Sequence, residues 1–224
     1  MPLVAEDEMD RLMPDLVGAG SRTLRLGGHS RSHAPRDVPD TGLKPLDEVL
    51  WERRSVREFA PEPVSAGLVD EVFTRAQATQ DRQWPTERHG GAGLRIVVAA
   101  HAVDGLSRDL HLWDPRGGFT PMNAPGVTQE LREAYTNAPA FALVCGSPPR
   151  APAQAYAGLL TRAGALGHAL GLSACTHGLG CSPWGGTSHR VTREASASGA
   201  ATRHLFTLAM GRPARVPGGS SPTC

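Results

Sequence analysis

An excess of charge of one sign is missing from this chain. Its 23 lysines and arginines are matched by 22 aspartates and glutamates, leaving +1. So even a balance supplies no general attraction to nucleic acid or to an anionic membrane, and any basic cluster must act locally. Lysine is nearly absent, since Lys44 is the only one and arginine carries the remaining positive charge. No apolar run approaches the roughly 18 residues of a transmembrane helix. The first residues, M-P-L-V-A-E-D-E-M-D, are acidic where a secretory leader is basic. Cysteine is sparse: Cys145, Cys175, Cys181 and Cys224 form no CxxC pair, and 224 residues can build a core without disulfide staples. These absences indicate a reduced, cytoplasmic protein with no nucleic-acid and no membrane partner.

The segments that are present alternate between helical and extended patterns. Residues 1–43 have little periodicity and many breakers, which predicts an arm. Lys44 to Arg54 reads as a helix, with Pro45 at its start and Asp47 and Glu48 favouring the positive end of the helix dipole. Ser65 is an N-cap for a second helix to about Ala78, where Leu68, Val69, Val72, Phe73 and Ala76 recur at helical spacing. Residues 79–93 read as a loop. L-R-I-V-V-A-A (94–100) reads as a strand, and L-H-L-W-D (110–114) as another after a turn at Asp104-Gly105. Residues 115–126 read as a loop and 127–136 as a short helix. A-F-A-L-V-C-G (140–146) is apolar throughout and predicts a central strand. The longest helix spans about Ala153 to Leu179, and its many glycines and alanines imply close packing rather than intrinsic helix stability. Residues 178–186 read as irregular, and L-F-T-L-A-M-G (205–211) as the last strand. No repeat is present, and the pattern predicts a mixed α/β or α+β domain over 44–216, followed by a tail at 217–224.

Against that neutral background, R-R-S-V-R-E-F (53–59) is conspicuous. If the chain leaves its helix here and becomes extended, Arg53, Ser55 and Arg57 project to one side. Converging guanidinium forks and a hydroxyl suit a phosphate. The alternative is a solvated cluster in which Arg53 and Arg54 answer the negative end of the preceding helix. Spacing alone leaves both open. Cys175, His177, Cys181 and His189 are metal-capable types, but their spacing fits no zinc pattern, and no metal is expected.

The stretch L-D-E-V-L-W-E-R-R-S-V-R-E-F-A-P-E-P-V-S (46–65) resembles the opening motif of the nitroreductase family of FMN-binding enzymes. Further segments are similar to the SagB-type branch, whose members oxidise azoline rings in peptides. They are 94–115, Y-A-G-L-L-T-R-A-G (156–164), P-W-G-G (183–186) and L-A-M-G-R-P-A-R (208–215). The resemblance implies an α+β nitroreductase-like fold, with a central, mainly antiparallel sheet flanked by helices and FMN at a homodimer interface. It implies that Arg53, Arg54, Ser55 and Arg57 hold the FMN phosphate with Arg215 or Arg212. It also implies that Pro183, Trp184, Gly185 and Gly186 pass near the flavin ring. Q-W-P (83–85) is similar to a family loop touching the flavin. G-G-A-G (90–93) stands where the branch has a glycine–aromatic–proline segment, and Arg150-Ala151 stand where it has a Lys-Tyr pair. Arginine stays protonated and makes a poor base. The catalytic candidates are Tyr156, His168 and, although arginine is a poor base, Arg150, with no base singled out. The implied function is FMN-dependent dehydrogenation of a small-molecule or carrier- or peptide-bound intermediate by hydride transfer to flavin. The alternatives are an NAD(P)H-dependent nitro or quinone reductase, and a non-redox member of the fold.

Overall fold

The computed structural model describes residues 44–91, 93–124, 126–147, 153–197 and 202–214, without the side chains of 153–155. The expected arm at 1–43, the tail at 217–224, Arg150 and Arg215 lie outside the described residues.

Pro45 precedes α1 (Leu46–Glu52), whose first turn carries Asp47 and Glu48. After a two-residue strand, β1 (Val64–Ser65), comes α2 (Ala66–Gln83). Ser65 caps α2 as its sequence predicts: the hydroxyl accepts from the Leu68 amide at 3.2 Å. The helix runs on past Ala78 to Gln83, and a short helix, α3 (Thr86–His89), occupies part of the expected loop. Next come β2 (Leu94–Ala100), β3 (Val103–Asp104), β4 (Leu110–Asp114) and β5 (Gly118–Pro121), the last inside a segment read as loop. Gly118 takes φ 69°, a left-handed turn conformation that glycine adopts without penalty. Then follow α4 (Val127–Ala134), β6 (Ala140–Gly146) and the long helix α5 (Ala153–Thr176). The chain closes with β7 (Gly180–Trp184), α6 (His189–Ala197) and β8 (Arg203–Gly211).

Six strands form one sheet in the order β5-β4-β2-β6-β8-β7, every neighbouring pair antiparallel. β1 and β3 make a small parallel pair apart from it. All seven residues of β6 are buried, as the apolar run foretells, because helices cover both faces of the sheet. Strand alternation divides the core. Ile96, Val98, Ala142, Val144, Leu208 and Met210 face α2 and α5, where they meet Val69, Phe73, Leu166 and Leu170. Val97, Ala99, Phe141, Leu143 and Ala209 face the other way, toward Val127 and Leu131 of α4, Val191 and Ala195 of α6, and Phe59.

Two further segments differ from their sequence reading. G-L-G-C-S-P-W-G-G is not irregular, since its middle forms β7. Proline and glycine are tolerated there because β7 is an edge strand, which does not need every backbone donor. Residues 189–197, unassigned from sequence, form α6, whose start is capped by Ser188: its hydroxyl accepts from Val191 N at 3.2 Å.

Candidate cofactor-binding site

The basic segment follows directly from the end of α1. Arg53 terminates that helix with φ −52° and ψ 131°, and the chain then becomes extended. It runs beside the edge strand β7, where Ser55 bridges Cys181 in parallel and Val56 N donates to the Cys181 carbonyl at 2.9 Å. Further along it meets the end of β8: Ala60 N donates to Arg212 O at 2.9 Å, and Ala214 N to Glu58 O at 3.0 Å. Asn137 clamps both backbone groups of Phe59 at 2.9 Å, and the Thr136 hydroxyl donates to the Arg57 carbonyl.

Beside this segment lies a cavity of about 270 Å³. Arg53, Arg54 and Ser55 form one wall. α5 forms a second with Gly164, Gly167, His168, Gly171, Leu172 and Cys175, and Cys181, Pro183, Phe206 and Leu208 supply the rest. The glycine spacing on α5 puts a groove where side chains would stand. A Cβ at Gly167 would lie 2.6 Å from Phe206 Cδ1, whereas one at Gly164 would meet nothing within 4 Å. The many small residues of the long helix thus serve packing at one position and open space at the next.

The structure separates the three arginines. The Arg54 guanidinium donates to the carbonyls of Trp51 and Arg53 at 3.0 and 2.9 Å, the helix-end role open to any arginine there. Arg53 is exposed, lines the cavity and has no side-chain partner among the described residues. Ser55 lines the same wall. Arg57 is exposed and is not on the cavity wall; beyond it Asn137 holds the backbone and Phe59 is buried on the opposite face of the sheet. Arg212 is also exposed and off the wall.

Of the proline–glycine loop, only Pro183 reaches the cavity. Trp184 turns to the other face and stacks on Tyr135, with centroids 4.7 Å apart and planes at 9°. A Cβ at Gly186 would sit 2.8 Å from Trp184 Nε1, so glycine makes room for that indole. Gly185 is exposed. The Tyr135 hydroxyl ties the arrangement to the sheet edge, bonding Ser182 Oγ at 2.6 Å and donating to Pro183 O at 3.0 Å. Of the catalytic candidates, His168 lines the cavity, while Tyr156 lies nearer the start of α5, exposed and off the wall. Trp84 caps the end of α2, away from the cavity.

Sequence reasoning did not single out Gly167, Gly171, Leu172, Phe206 or Leu208 as lining residues, although the small-residue spacing of α5 was a usable signal. The metal-capable residues are dispersed. Cys175 and Cys181 meet, with sulfurs 3.7 Å apart; His177 faces Ser173 and Glu71, and His189 is exposed. Among the described residues no group of three or more His, Cys, Asp or Glu is placed to hold a metal ion.

A six-stranded antiparallel sheet between helices, with a basic, glycine-grooved cavity at its edge, defines an α+β protein. Comparison with known proteins gives the family. Residues 50–211 match the nitroreductase family. No curated protein matches the sequence. Among solved structures, the chain is similar to a candidate nitroreductase from Ralstonia eutropha JMP134: 19% identity, 82% of this chain and 88% of that one covered, TM-score 0.60. It is similar also to nitroreductase A of Vibrio parahaemolyticus RIMD 2210633: 15% identity, 76% and 68% covered, TM-score 0.54. A candidate nitroreductase from Anabaena variabilis ATCC 29413 aligns at 21% identity with TM-score 0.55, over 75% of this chain but only 38% of its own length. The chain belongs to the nitroreductase family, whose members are FMN-dependent oxidoreductases and whose fold is commonly homodimeric.

Proposed function

We propose that this chain is an FMN-dependent oxidoreductase that dehydrogenates a small-molecule or carrier-bound, azoline-like intermediate. The observation that carries the reading is Arg53 without a side-chain partner beside Ser55, at a cavity whose other walls are mostly glycine and apolar side chains, with His168 among them. The residues present fit FMN. A phosphate dianion suits fixed guanidinium and hydroxyl donors, and a planar ring suits a groove without bulky Cβ atoms. When bound, FMN supplies two-electron hydride chemistry at its ring.

The rest falls to the protein. Arg53 and Ser55 anchor the phosphate, and Leu172, Phe206 and Leu208 keep water from the ring side. Arg57 and Arg212 serve the same phosphate from outside the single-chain cavity, Arg215 does so by the family motif it matches, and Gly185 and Gly186 lend backbone N–H groups. His168 is the cavity-wall side chain suited to take up the substrate proton, since histidine exchanges protons near neutral pH and arginine does not. A second copy of the chain completes the site. Leu46, Leu50 and Trp51 on α1 and Tyr156 and Leu160 on α5 are exposed, Trp51 by 84%, and a homodimer interface would cover them.

A second reading, an NAD(P)H-dependent nitro or quinone reductase, is favoured by one feature: among the described residues the cavity wall carries no carboxylate and no lysine. Such a reductase needs no strong base to remove a C–H proton. The absorption spectrum of the purified protein, followed by anaerobic addition of NADPH, separates these readings. Flavin bands that persist under NADPH support the dehydrogenase, and rapid bleaching supports the reductase. A colourless protein that takes up no added FMN refutes both and leaves a non-redox member of the fold.

A further inference from the structure

The floor of the cavity holds two thiols. Cys175 lies in the last turn of α5 and Cys181 near the start of β7, with the reversal between them made at Gly178, φ 72°. Their sulfurs are 3.7 Å apart. Closure to the roughly 2.05 Å of a disulfide asks each sulfur to move less than about 1 Å, a side-chain adjustment. Cys175 is buried, whereas Cys181 is partly exposed and rests against the Gly171 carbonyl at 3.8 Å. Both sulfur-bearing residues share the cavity with Arg53 and Arg54, and the Arg-bearing segment is hydrogen-bonded to the Cys181 backbone. Cys145 is the contrast: it is enclosed in β6, and burial pushes its thiol up to about 12.

We propose that Cys175 and Cys181 are a redox site, a dithiol that closes to an intramolecular disulfide with a low-molecular-weight disulfide as oxidant. The Cys181 thiolate attacks one sulfur of the incoming disulfide and expels the first thiolate, leaving a mixed disulfide. The Cys175 thiol gives its proton to solvent, attacks Cys181 Sγ and expels the second. Two protein thiols are oxidised, one small disulfide is reduced, and the two released thiolates take up the protons. The new bond ties the end of α5 to β7 across the cavity floor. Val49 of α1 and Val56 of the basic segment pack on this pair, so closure bears on the Arg53 wall as well. This chemistry belongs to the protein's own sulfurs and goes beyond the flavin reading; it does not depend on FMN in the cavity.

The two cysteines lie on one tryptic peptide, residues 163–190, with Cys145 on another. The full-length protein is incubated with oxidised glutathione, freed of it, denatured, alkylated with iodoacetamide and digested. The expected result is peptide 163–190 unalkylated and about 2 Da lighter than the dithiol, with two alkylation sites restored by prior dithiothreitol. The peptide bearing Cys145 is alkylated throughout. Cys175→Ser is expected to retain glutathione on Cys181 as a stable mixed disulfide. Two alkyl groups on peptide 163–190 after the oxidant, or glutathione adducts with no internal disulfide in the wild-type protein, overturn the proposal. The wild-type measurement stands even if a variant does not fold.

Discussion

His204 makes the protein acid-sensitive in a defined window. The imidazole is 2% exposed at the second position of β8. Ser188 N donates to its Nδ1 at 3.0 Å, so Nδ1 is unprotonated and the ring is the neutral Nε2–H form. That Nε2–H faces the Phe206 carbonyl at 3.1 Å and Thr207 Oγ1 at 2.9 Å. Protonation at Nδ1 would break the Ser188 bond and bury an unpaired charge. Burial accordingly lowers the pKa from 6.5 to about 4, partly offset by the Phe206 carbonyl. In the unfolded chain the group titrates at its ordinary value. The contribution of His204 is therefore complete above about pH 6.5 and is lost as pH falls toward 4, below which both states carry the proton. The displacement corresponds to about 3 kcal/mol, a large part of a typical domain's stability. Denaturant unfolding followed by far-UV circular dichroism between pH 7.5 and 4 measures it, with His204→Gln as the reference. His101, whose pKa is also lowered, chiefly by burial and then by Arg132, is common to both proteins and cancels in the comparison. The wild type is expected to lose about 3 kcal/mol more than the variant over this window. Parallel pH profiles would refute the reasoning.

Further outcomes follow from the site. Arg53→Ala is expected to weaken FMN binding at least about tenfold, read from the flavin bands during titration, whereas Arg54→Ala lowers Tm by loosening the end of α1. The double variant Arg53→Ala/Arg57→Ala is expected to purify colourless, and a yellow protein would contradict the phosphate assignment. Gly167→Ala drives a Cβ into the Phe206 ring and is expected to cost about 1–3 kcal/mol, while Gly164→Ala, with open space around it, leaves Tm unchanged or higher; equal effects in calorimetry would count against the cavity geometry. Trp51→Ser is expected to shift sedimentation toward the monomer with an unchanged circular dichroism spectrum, and an unaltered association state would remove α1 from the interface.

The parts of the fold that declare themselves in sequence are those fixed by local pattern. β6 is read from an unbroken apolar run, α2 from its periodicity and the Ser65 cap, and α5 from its length. β7 is not, because Pro183 and the surrounding glycines resemble a breaker. Its strand state comes from β8, which pairs with all five of its residues, and from the edge position that spares Pro183 a donor. α6 is hidden by its polarity, although Ser188 followed by Val191 and Ala195 is a helix-start signal. The basic cluster is visible as a cluster, but not the division of labour within it. That Arg54 turns back to α1 while Arg53 faces a cavity depends on the pairing of Ser55 with Cys181, which lies far along the chain. Trp184 leaves the cavity for the same reason: its partner Tyr135 comes from the end of α4, and no local rule foretells that stack.

The placement of β8 sets an order of assembly. It lies between β6 and β7, and among the described residues β7 has no other ladder partner; only the Ser55 bridge touches its far side. While the chain is being made, β5, β4, β2 and β6 can pair as soon as Gly146 is available. β7 has nothing to pair with until residues 203–211 have emerged. The same strand supplies Phe206 and Leu208 to the cavity and, just beyond it, Arg212 to the Ala60 amide. A nascent or truncated chain ending before Arg203 would thus carry four strands of the sheet and Arg53, yet lack Phe206 and Leu208, which close the cavity that Arg53 lines. Among the described residues, the cavity wall is complete only once β8, the last strand, has emerged.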